Sequence, residues 1–299
     1  MLFIGDLDNR GLSEKLAEKF GAKLIYPDKH IFPDGEMRLR IPEKLADKKV
    51  TFLKSHVAPI DSSILETCFL IDLLKRNGAG LVTGIIPYLG YMRADHMFRT
   101  GEGVPLEVVI SMLEGAGLYR AVLVDPHSIR IPDLFHIDVL NLSALQVFAE
   151  KIKAMNLAKG SYTLVTPDMG GIRRIKIISK MLGNAAYAAI DKERDLETGE
   201  VEAERVEGKV SKTCFIVDDM ISSGGTIIKA LDALKTLGAE KIYVMATHAV
   251  FSDDAPEHLQ KSLAEKVFIT DSIAVPKTKE FEKLEILSIA DLIAKGLKS

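Results

Sequence analysis

Two adjacent carboxylates at the end of an apolar run are the clearest sign of a binding site in this sequence. Residues 215–227 read Phe-Ile-Val-Asp-Asp-Met-Ile-Ser-Ser-Gly-Gly-Thr-Ile, and the two carboxylates are Asp218 and Asp219. The carboxyl end of a parallel strand is where open α/β sheets bind their ligands. Because carboxylate oxygens accept hydrogen bonds from sugar hydroxyls, the pair predicts a site for a sugar.

The turn after the carboxylates suits a phosphate group. Glycine has no Cβ, so the backbone can approach an anion closely, and the N–H groups that open the next helix point at that anion. A flexible turn capped by serine would also explain the glycines, but it would not explain two carboxylates after an apolar strand. We therefore interpret the motif as a site for a phosphorylated sugar. The turn consists of Ser222, Ser223, Gly224, Gly225 and Thr226.

Two further segments place candidate metal or phosphate contacts directly after apolar strands. Asp125-Pro-His contains His127, and Thr166-Pro-Asp contains Asp168. Mg²⁺ is typically held by one or two protein groups together with phosphate oxygens of the substrate. His127 and Asp168 are therefore candidate contacts of a divalent metal or a phosphate, although a single histidine more often has a structural role.

A polar loop follows the apolar strand at 81–86. It reads Pro87-Tyr-Leu-Gly-Tyr-Met-Arg-Ala-Asp-His-Met-Phe and carries Arg93, Asp95 and His96. Loops that a scaffold positions in this way are disproportionately functional, so we treat this one as part of a candidate site.

A tight turn near the N-terminus combines an aromatic ring with two carboxylates. It reads Phe32-Pro-Asp-Gly-Glu-Met-Arg, with Asp34 and Glu36 as the acidic residues. Since Asp-Gly is among the strongest hairpin signals, a solvated hairpin tip is the alternative to a binding loop.

A long charged segment occupies residues 191–209 and includes Lys192 and Arg194. A solvated β-hairpin or a surface loop would account for its charges. The alternative is a mobile arm that closes over polyphosphate and neutralises charge developing on a transferring group.

The elements that must position these residues alternate between apolar runs and amphipathic segments, which is typical of a parallel sheet covered by helices. Strands are predicted at 1–5, 23–26, 50–54, 81–87, 120–125, 162–166, 184–190, 213–217, 241–247 and 266–270. Helices are predicted at 11–20, 61–76, 105–116, 143–156, 170–182, 225–237, 256–263 and 286–299.

The length of 299 residues fits one large or two medium domains, and the 47% hydrophobic content is ample for sizeable cores. The segment 156–161 is the best candidate for a boundary region. Two halves of about 150 residues, each with its own alternation of strands and helices, predict a first domain over 1–145 and a second domain over 146–285.

Composition argues against a nucleic-acid platform and against a membrane protein. The net charge is −3 and charges of both signs are mixed along the chain, whereas nucleic-acid binding needs a concentrated basic face. The first residues lack a basic leader, and the uncharged stretch 77–92 is too short to cross a bilayer. Cys68 and Cys214 lie in apolar stretches and are expected to be buried free thiols. These features predict a soluble cytoplasmic protein.

Taken together, the motifs resemble those of the ribose-phosphate pyrophosphokinases, the family that makes phosphoribosyl diphosphate (PRPP), in order and over nearly the whole chain. The 215–227 motif is similar to the PRPP fingerprint that this family shares with type I phosphoribosyltransferases. Ser222–Thr226 replaces the commoner Asp-Thr-Ala-Gly-Thr. The resemblance implies two phosphoribosyltransferase-like α/β domains, each a mostly parallel sheet flanked by helices, with the C-terminal helix 286–299 returning to the first domain. The serine-rich loop and the short chain are closer to archaeal members.

The resemblance also implies an ATP site. Phe32-Pro-Asp-Gly-Glu is similar to the family's Phe-Ser-Asp-Gly-Glu, and residues 87–95 are similar to Pro-Tyr-x-x-Tyr-Ala-Arg-Gln-Asp. In that family the ATP site usually lies at a subunit interface, which implies a homo-oligomer. The implied ATP contacts are Phe32, Asp34, Gly35, Glu36, Arg93, Ala94, which stands at the usual glutamine, and Asp95.

By the same resemblance, His127 and Asp168 attend Mg²⁺–ATP, so Mg²⁺ is the implied metal. Lys192 and Arg194 match the Lys-x-Arg of the family's flexible catalytic loop. The implied contacts of ribose 5-phosphate are Arg194, Asp218, Asp219, Ser222, Ser223, Gly224, Gly225 and Thr226.

The implied reaction transfers the diphosphoryl group of Mg²⁺–ATP to the C1 hydroxyl of ribose 5-phosphate, giving PRPP and AMP for nucleotide biosynthesis. Two other functions stay open. A phosphoribosyltransferase would use the PRPP fingerprint, but one domain suffices for it and the motifs of the first half would be unexplained. A regulatory homologue would bind nucleotides and modulate a catalytic partner, and it could lose the loop residues that this chain keeps as Lys192 and Arg194.

Overall fold

A computed structural model describes residues 2–45, 48–194 and 201–298, and for residues 191–194 and 201–205 it describes the backbone only. The helices are α1 (Arg10–Phe20), α2 (Ile60–Arg76), α3 (Pro105–Gly115), α4 (Leu145–Ala154), α5 (Ile172–Met181), α6 (Gly225–Thr236), α7 (Ala255–Lys261) and α8 (Ala290–Lys298). The strands are β1 (Leu2–Ile4), β2 (Lys23–Ile25), β3 (Asp28–Ile31), β4 (Met37–Arg40), β5 (Lys49–Leu53), β6 (Leu81–Ile85), β7 (Arg120–Val124), β8 (Asp138–Leu142), β9 (Tyr162–Thr166), β10 (Tyr187–Arg194), β11 (Val201–Gly208), β12 (Thr213–Ile221), β13 (Lys241–Ala249), β14 (Ala264–Thr270) and β15 (Leu284–Leu287).

The chain divides into two compact units. The first comprises Met1–Ser143, Ser272–Ala274 and Ser288–Ser299, and the second comprises Ala144–Asp271 and Val275–Leu287. The segment 156–161, for which the sequence predicted a boundary, lies inside the second unit between α4 and β9.

The first unit contains a six-stranded sheet in the order β2-β1-β5-β6-β7-β8, in which all neighbouring strands are parallel. From β1 the chain adds β2 on one side of this strand, and from β5 onward it adds strands on the other side. The strand order therefore reverses between β1 and β5. Open α/β sheets bind ligands beyond the carboxyl ends of strands at such a reversal. A separate antiparallel hairpin is formed by β3 and β4, and α8 packs against α1 and β8.

The second unit contains a seven-stranded sheet in the order β11-β10-β9-β12-β13-β14-β15. Its strands are parallel except for the antiparallel pair of β10 and β11. Here the strand order reverses between β9 and β12. The second candidate ligand edge therefore lies beyond the carboxyl ends of these two strands.

Buried apolar side chains of the central strands form a core in each unit. Phe3 of β1 and Phe52 of β5 are fully buried in the first unit, and Phe215 of β12 is fully buried in the second. The Phe215 ring stacks on Tyr243 of β13 with centroids 5.0 Å apart. Strands covered on both faces read as continuous apolar runs, which is why the sequence predicted these central strands.

The helix predicted over 286–299 is wrong for its first four residues. Instead of a helix over 286–299, the strand β15 pairs in parallel with β14, with Ile286 opposite Ile269, and α8 begins only at Ala290. The apolar residues at 286, 287 and 289 match helical spacing. In the fold, however, the open edge of β14 supplies hydrogen-bond partners for the backbone of 284–287, and this pairing outweighs the periodicity.

No helix in the described part of the chain is long and apolar enough to span a membrane. Cys68 and Cys214 are both buried and free, as predicted. Burial raises the pKa of the Cys214 thiol to about 11, so this side chain behaves as a small apolar group at neutral pH.

Candidate active site

The two carboxylates of the sugar motif lie inside β12 rather than after it. The strand continues to Ile221, and Asp218 pairs with Ala246 of β13. Pairing with β9 on the other side ends at Ile216. Asp218 and Asp219 therefore stand where β12 extends beyond β9, at the reversal of strand order where a ligand is expected.

The guanidinium of Arg174, on the first turn of α5, faces both carboxylates. Its Nη1 lies 3.3 Å from Asp218 Oδ1, and its Nη2 lies 3.4 Å from Asp219 Oδ1. The side chains of Arg174, Asp218 and Asp219 are only 17%, 13% and 6% exposed. Burial raises the pKa of Asp218 well above its usual value and the charge of Asp219 raises it further, whereas Arg174 lowers it. The arginine therefore offsets part of the cost of burying two adjacent carboxyl groups, while the pKa of Asp218 stays raised.

Asp168 opens the short helical turn Met169–Gly171 that leads from β9 into α5. Its Oδ1 accepts a hydrogen bond from Gly171 N at 3.1 Å, and Thr166 Oγ1 donates to its carbonyl oxygen at 2.9 Å. A Cβ on Gly171 would stand 2.0 Å from Thr166 Oγ1, so only glycine allows this close approach. The charge of Asp168 helps to raise the pKa of Asp218, which places both carboxylates in one electrostatic environment.

The turn from β12 into α6 presents backbone donors at a helix N-terminus. Gly224 adopts a left-handed conformation with φ of 81°, and among the described residues no side chain caps α6. Ser222 Oγ lies 3.1 Å from Ser252 Oγ, while Ser223 and Thr226 are exposed. Uncapped N–H groups and exposed hydroxyls at the positive end of a helix suit an anion such as phosphate.

Lys192 and Arg194 occupy the last residues of β10. The backbone of β10 pairs with that of β11, with Lys192 opposite Glu204 and Arg194 opposite Val201. The register shifts between Glu193 and Arg194. Because the side chains of 191–194 lie outside the described part of the structure, the catalytic role of Lys192 and Arg194 stays a prediction.

The Phe32–Glu36 segment forms the tip of the β3–β4 hairpin. Phe32 N donates to Glu36 O at 2.8 Å, Gly35 N donates to Phe32 O at 2.9 Å, and Glu36 N donates to Asp34 Oδ1 at 3.1 Å. The Phe32 ring is 37% exposed, and the Arg38 guanidinium lies 5.7 Å from its centroid. The segment is therefore the hairpin tip that the sequence offered as the alternative to a binding loop. This tip presents an aromatic ring that can stack on a base.

Asp95 links the loop after β6 to the loop after β7. Its Oδ1 lies 2.6 Å from His96 Nδ1. Burial acts to raise the pKa of Asp95, but hydrogen bonds from His96 and Ser128 outweigh it and lower the pKa below its usual value. Asp95 is therefore held ionised between two polar segments of the first unit.

The other residues implied for the first unit lie on the same two loops. Arg93 and His127 are exposed, and Ala94 is half-buried. Ala94 N donates to Tyr91 O at 2.8 Å. His127 directly precedes Ser128. The hydrogen bond from Ser128 to Asp95 therefore holds the backbone next to His127 in place.

A divalent metal would find few protein ligands here. Among the described residues, no group of three or more His, Cys, Asp or Glu side chains is arranged to hold a metal ion. Mg²⁺ usually keeps its waters and binds one or two carboxylates together with substrate phosphates. Asp168, whose charge helps to raise the pKa of Asp218, offers hard carboxylate oxygens that fit such a minimal donor set. The metal contacts of Asp168 and His127 stay predictions.

Sequence comparison decides the family. Residues 1–117 match the model of the N-terminal domain of ribose phosphate pyrophosphokinase, and residues 199–299 match the model of the phosphoribosyl synthetase-associated domain. The chain is 34% identical over 291 residues to ribose-phosphate pyrophosphokinase 1 of Streptococcus pneumoniae, an alignment that covers 97% of this chain and 90% of the relative. The chain belongs to the ribose-phosphate pyrophosphokinase family.

Two further ribose-phosphate pyrophosphokinase comparisons agree. Ribose-phosphate pyrophosphokinase 1 of Streptococcus mutans is 35% identical, with 97% of this chain and 90% of the relative covered. The crystal structure of phosphoribosylpyrophosphate synthetase from Mycobacterium smegmatis superposes with a TM-score of 0.92 at 31% identity, covering 99% of this chain and 97% of that one. The predicted family and the fold of two phosphoribosyltransferase-like α/β domains are confirmed. The likeness to archaeal members stays a prediction.

Two polar residues of the candidate site were not predicted from the sequence. Arg174 contacts Asp218 across 44 positions of the chain, and Ser128 bonds Asp95 from a different loop. The sequence does show an arginine in the first turn of the helix that follows Asp168. An arginine there suits an acidic side chain or a bound anion, but the sequence does not identify the partner.

Proposed function

We propose that this chain catalyses transfer of an intact diphosphoryl group from Mg²⁺–ATP to ribose 5-phosphate. The C1 hydroxyl oxygen of the sugar attacks the β-phosphorus and loses its proton. The bond from that phosphorus to the oxygen shared with the α-phosphorus breaks, and AMP leaves with the shared oxygen. The observation that carries the proposal is the Asp218–Asp219 pair beside the uncapped N-terminus of α6, in a chain whose relatives are named ribose-phosphate pyrophosphokinases.

The sugar half of the reaction is assigned to the second unit. Asp218 and Asp219 orient ribose by accepting hydrogen bonds from its 2- and 3-hydroxyls. The turn Ser222–Thr226 binds the 5-phosphate through backbone N–H groups and hydroxyls. Arg174 holds the carboxylates in place and reduces their mutual repulsion, which supports the ribose in one orientation.

The ATP half is assigned to the first unit. The exposed Phe32 ring stacks on adenine, and Asp34 and Glu36 at the same hairpin tip contact its edge. Gly35 shapes the tip. The loop residues Arg93, Ala94 and Asp95 form the second ATP segment. Since the family resemblance places this site at a subunit interface, we propose a homo-oligomer.

Charge neutralisation is the main chemical demand of such a transfer. Mg²⁺ bound with ATP neutralises phosphate charge, and we assign its protein contacts to Asp168 and His127. Lys192 and Arg194 supply the remaining positive charge, and Arg194 is also assigned to binding of the sugar phosphate. Because ATP and a sugar phosphate are metabolites of the cell interior, we assign the enzyme to nucleotide biosynthesis in the cytoplasm.

The test is AMP release from Mg²⁺–ATP with and without ribose 5-phosphate, for the wild type and for Lys192→Ala. We expect AMP only in the presence of the sugar, in step with PRPP, and a loss of about 100-fold or more in the variant. Tight ATP binding without any AMP, over a range of phosphate and metal concentrations, would contradict the proposal and favour a regulatory homologue.

A further inference from the structure

The segment that leaves β5 is polar and yet fully buried. Lys54, Ser55 and His56 follow the strand directly and are 3%, 2% and 0% exposed. They lie at the reversal of strand order between β1 and β5. Polar groups are buried at a cost unless they are paired, so the partners of this segment indicate what it does.

Ser55 and His56 are bound to the loop that carries Arg93. His56 N donates to Tyr88 O at 2.9 Å, Tyr88 N donates to Ser55 Oγ at 3.3 Å, and Gly90 N donates to His56 Nδ1 at 3.0 Å. These three hydrogen bonds hold residues 88–90 against the end of β5. The position of Arg93, three residues further on, depends on them.

The His56 ring is kept in one chemical form. Since Nδ1 accepts the hydrogen bond from Gly90, the ring proton is on Nε2. Burial and then the charge of Lys54 lower the pKa of His56 to about 3, so the acceptor persists at every physiological pH. Within the described residues, the buried Nε2 has no hydrogen-bond partner.

Lys54 is linked through Glu66 of α2 to the other segment implied in ATP binding. Its Nζ lies 2.5 Å from Asp8 Oδ2, 3.1 Å from Asp6 Oδ1 and 3.3 Å from Glu66 Oε2. The same Glu66 oxygen accepts from Lys29 Nζ at 2.8 Å, and Lys29 lies on β3 of the hairpin whose tip is Phe32–Glu36. Glu66 thus connects the buried ammonium to the hairpin.

We propose that Lys54, Ser55 and His56 are positioning residues that fix both ATP-binding loops relative to β5. Lys54 acts on the β3–β4 hairpin through Glu66 and Lys29, while Ser55 and His56 act on residues 88–93. This inference rests on the proposed function, because it takes both loops to be ATP contacts. It predicts that weakening either connection affects ATP and leaves ribose 5-phosphate unaffected.

The experiment uses two variants of His56. In His56→Asn the amide oxygen stands in for Nδ1 as the acceptor for Gly90 N. In His56→Leu the acceptor is lost. We expect His56→Leu to raise the KM for ATP about tenfold and His56→Asn to stay within about threefold of the wild type, with the KM for ribose 5-phosphate unchanged in both.

The hairpin connection has its own variant and matched control. Lys29→Met removes the bond to Glu66 while leaving Glu66 paired with Lys54. Lys49→Met removes an exposed ammonium at the opposite end of β5. We expect the KM for ATP to rise in the first variant and not in the second. Thermal unfolding of each variant shows whether it is folded, and Lys29→Met and His56→Asn keep the test valid if His56→Leu does not fold.

Direct binding of the α,β-methylene analogue of ATP, without sugar, separates this inference from the proposed function. If the wild type binds the analogue but makes no PRPP, the proposed reaction is wrong, and the Kd values of the variants still test the positioning role. Equal ATP affinity in the wild type, His56→Leu and Lys29→Met would overturn the inference. Equal changes in the KM values of both substrates would also overturn it, since they would indicate general damage.

Discussion

Arg174 Nη1 lies 3.3 Å from Asp218 Oδ1, which connects the first turn of α5 to the strand that carries the sugar motif. The contact joins two βα segments of the second unit on either side of its strand-order reversal. It also lowers the pKa of Asp218, which burial and the charge of Asp219 nevertheless hold well above its usual value. The proposed ribose site therefore depends on a residue outside the motif that predicts it.

Arg174→Met should shift the pH dependence of the enzyme. Arg174 lowers the pKa of Asp218, so its loss raises that pKa further, and an ionised Asp218 is then reached only at higher pH. We expect the acidic limb of kcat/KM for ribose 5-phosphate to move upward by about one pH unit or more. Arg173→Met, at an exposed neighbouring position, is the matched control. Equal profiles for both variants would show that Arg174 does not act on Asp218.

Asp218→Asn should stabilise the fold while it impairs activity. The folded chain raises the pKa of Asp218, so it binds the proton more tightly than the unfolded chain does. The free energy of unfolding therefore falls as pH rises from the usual carboxyl pKa through the raised one. We expect a higher Tm than the wild type at neutral pH, a difference that shrinks on acidification, and a loss of about 10- to 100-fold in kcat/KM. A lower Tm at neutral pH would contradict this.

The two glycines of the phosphate turn should differ when changed to alanine. Gly224 has a φ of 81°, so Gly224→Ala should cost about 1–2 kcal/mol of stability. At Gly225 a Cβ would have only Ser223 Oγ nearby, at 3.9 Å, so Gly225→Ala should leave the Tm unchanged. Its methyl group obstructs close approach of the phosphate, and the KM for ribose 5-phosphate should rise about tenfold. An unchanged KM would place the phosphate elsewhere.

Phe32→Ala should weaken ATP binding. The ring packs on His30, with centroids 4.6 Å apart, and lies 5.7 Å from the Arg38 guanidinium, so its loss affects packing within the hairpin. Stacking of a base on an aromatic ring is worth about 1–3 kcal/mol in addition. We expect the KM for ATP to rise about tenfold or more. Ile31→Ala serves as the control, since Ile31 is the adjacent apolar residue of the hairpin and is 60% exposed. If both variants behave alike, Phe32 does not stack on adenine.

The central strands could be predicted because their burial makes them apolar. Runs such as 162–166 and 213–217 are covered on both faces of a parallel sheet, and this environment selects a continuous apolar pattern. The predicted order of strands and helices also follows from that pattern. Asp218 and Asp219 were recognised for the opposite reason, because charge in an apolar strand is costly and calls for a function.

The rest of the fold depends on contacts that the local sequence does not record. β3, β4 and β11 are rich in charged residues, and β15 exists because β14 offers it an open edge. The Arg174–Asp218 contact spans 44 positions, and no periodicity indicates it. The anchoring of two loops by Lys54 and His56 likewise appears only when β5, β6 and α2 are packed together.

The central claim is most directly tested by following both phosphorus atoms of the transferred group. ATP labelled separately at the β- and γ-phosphates is incubated with Mg²⁺ and ribose 5-phosphate, and the products are separated and counted. The account predicts that both labels appear in PRPP, in equal amounts, together with one unlabelled AMP per PRPP and with no AMP when the sugar is omitted. Labelled ADP, free phosphate as the main product, or AMP formed without the sugar would contradict it.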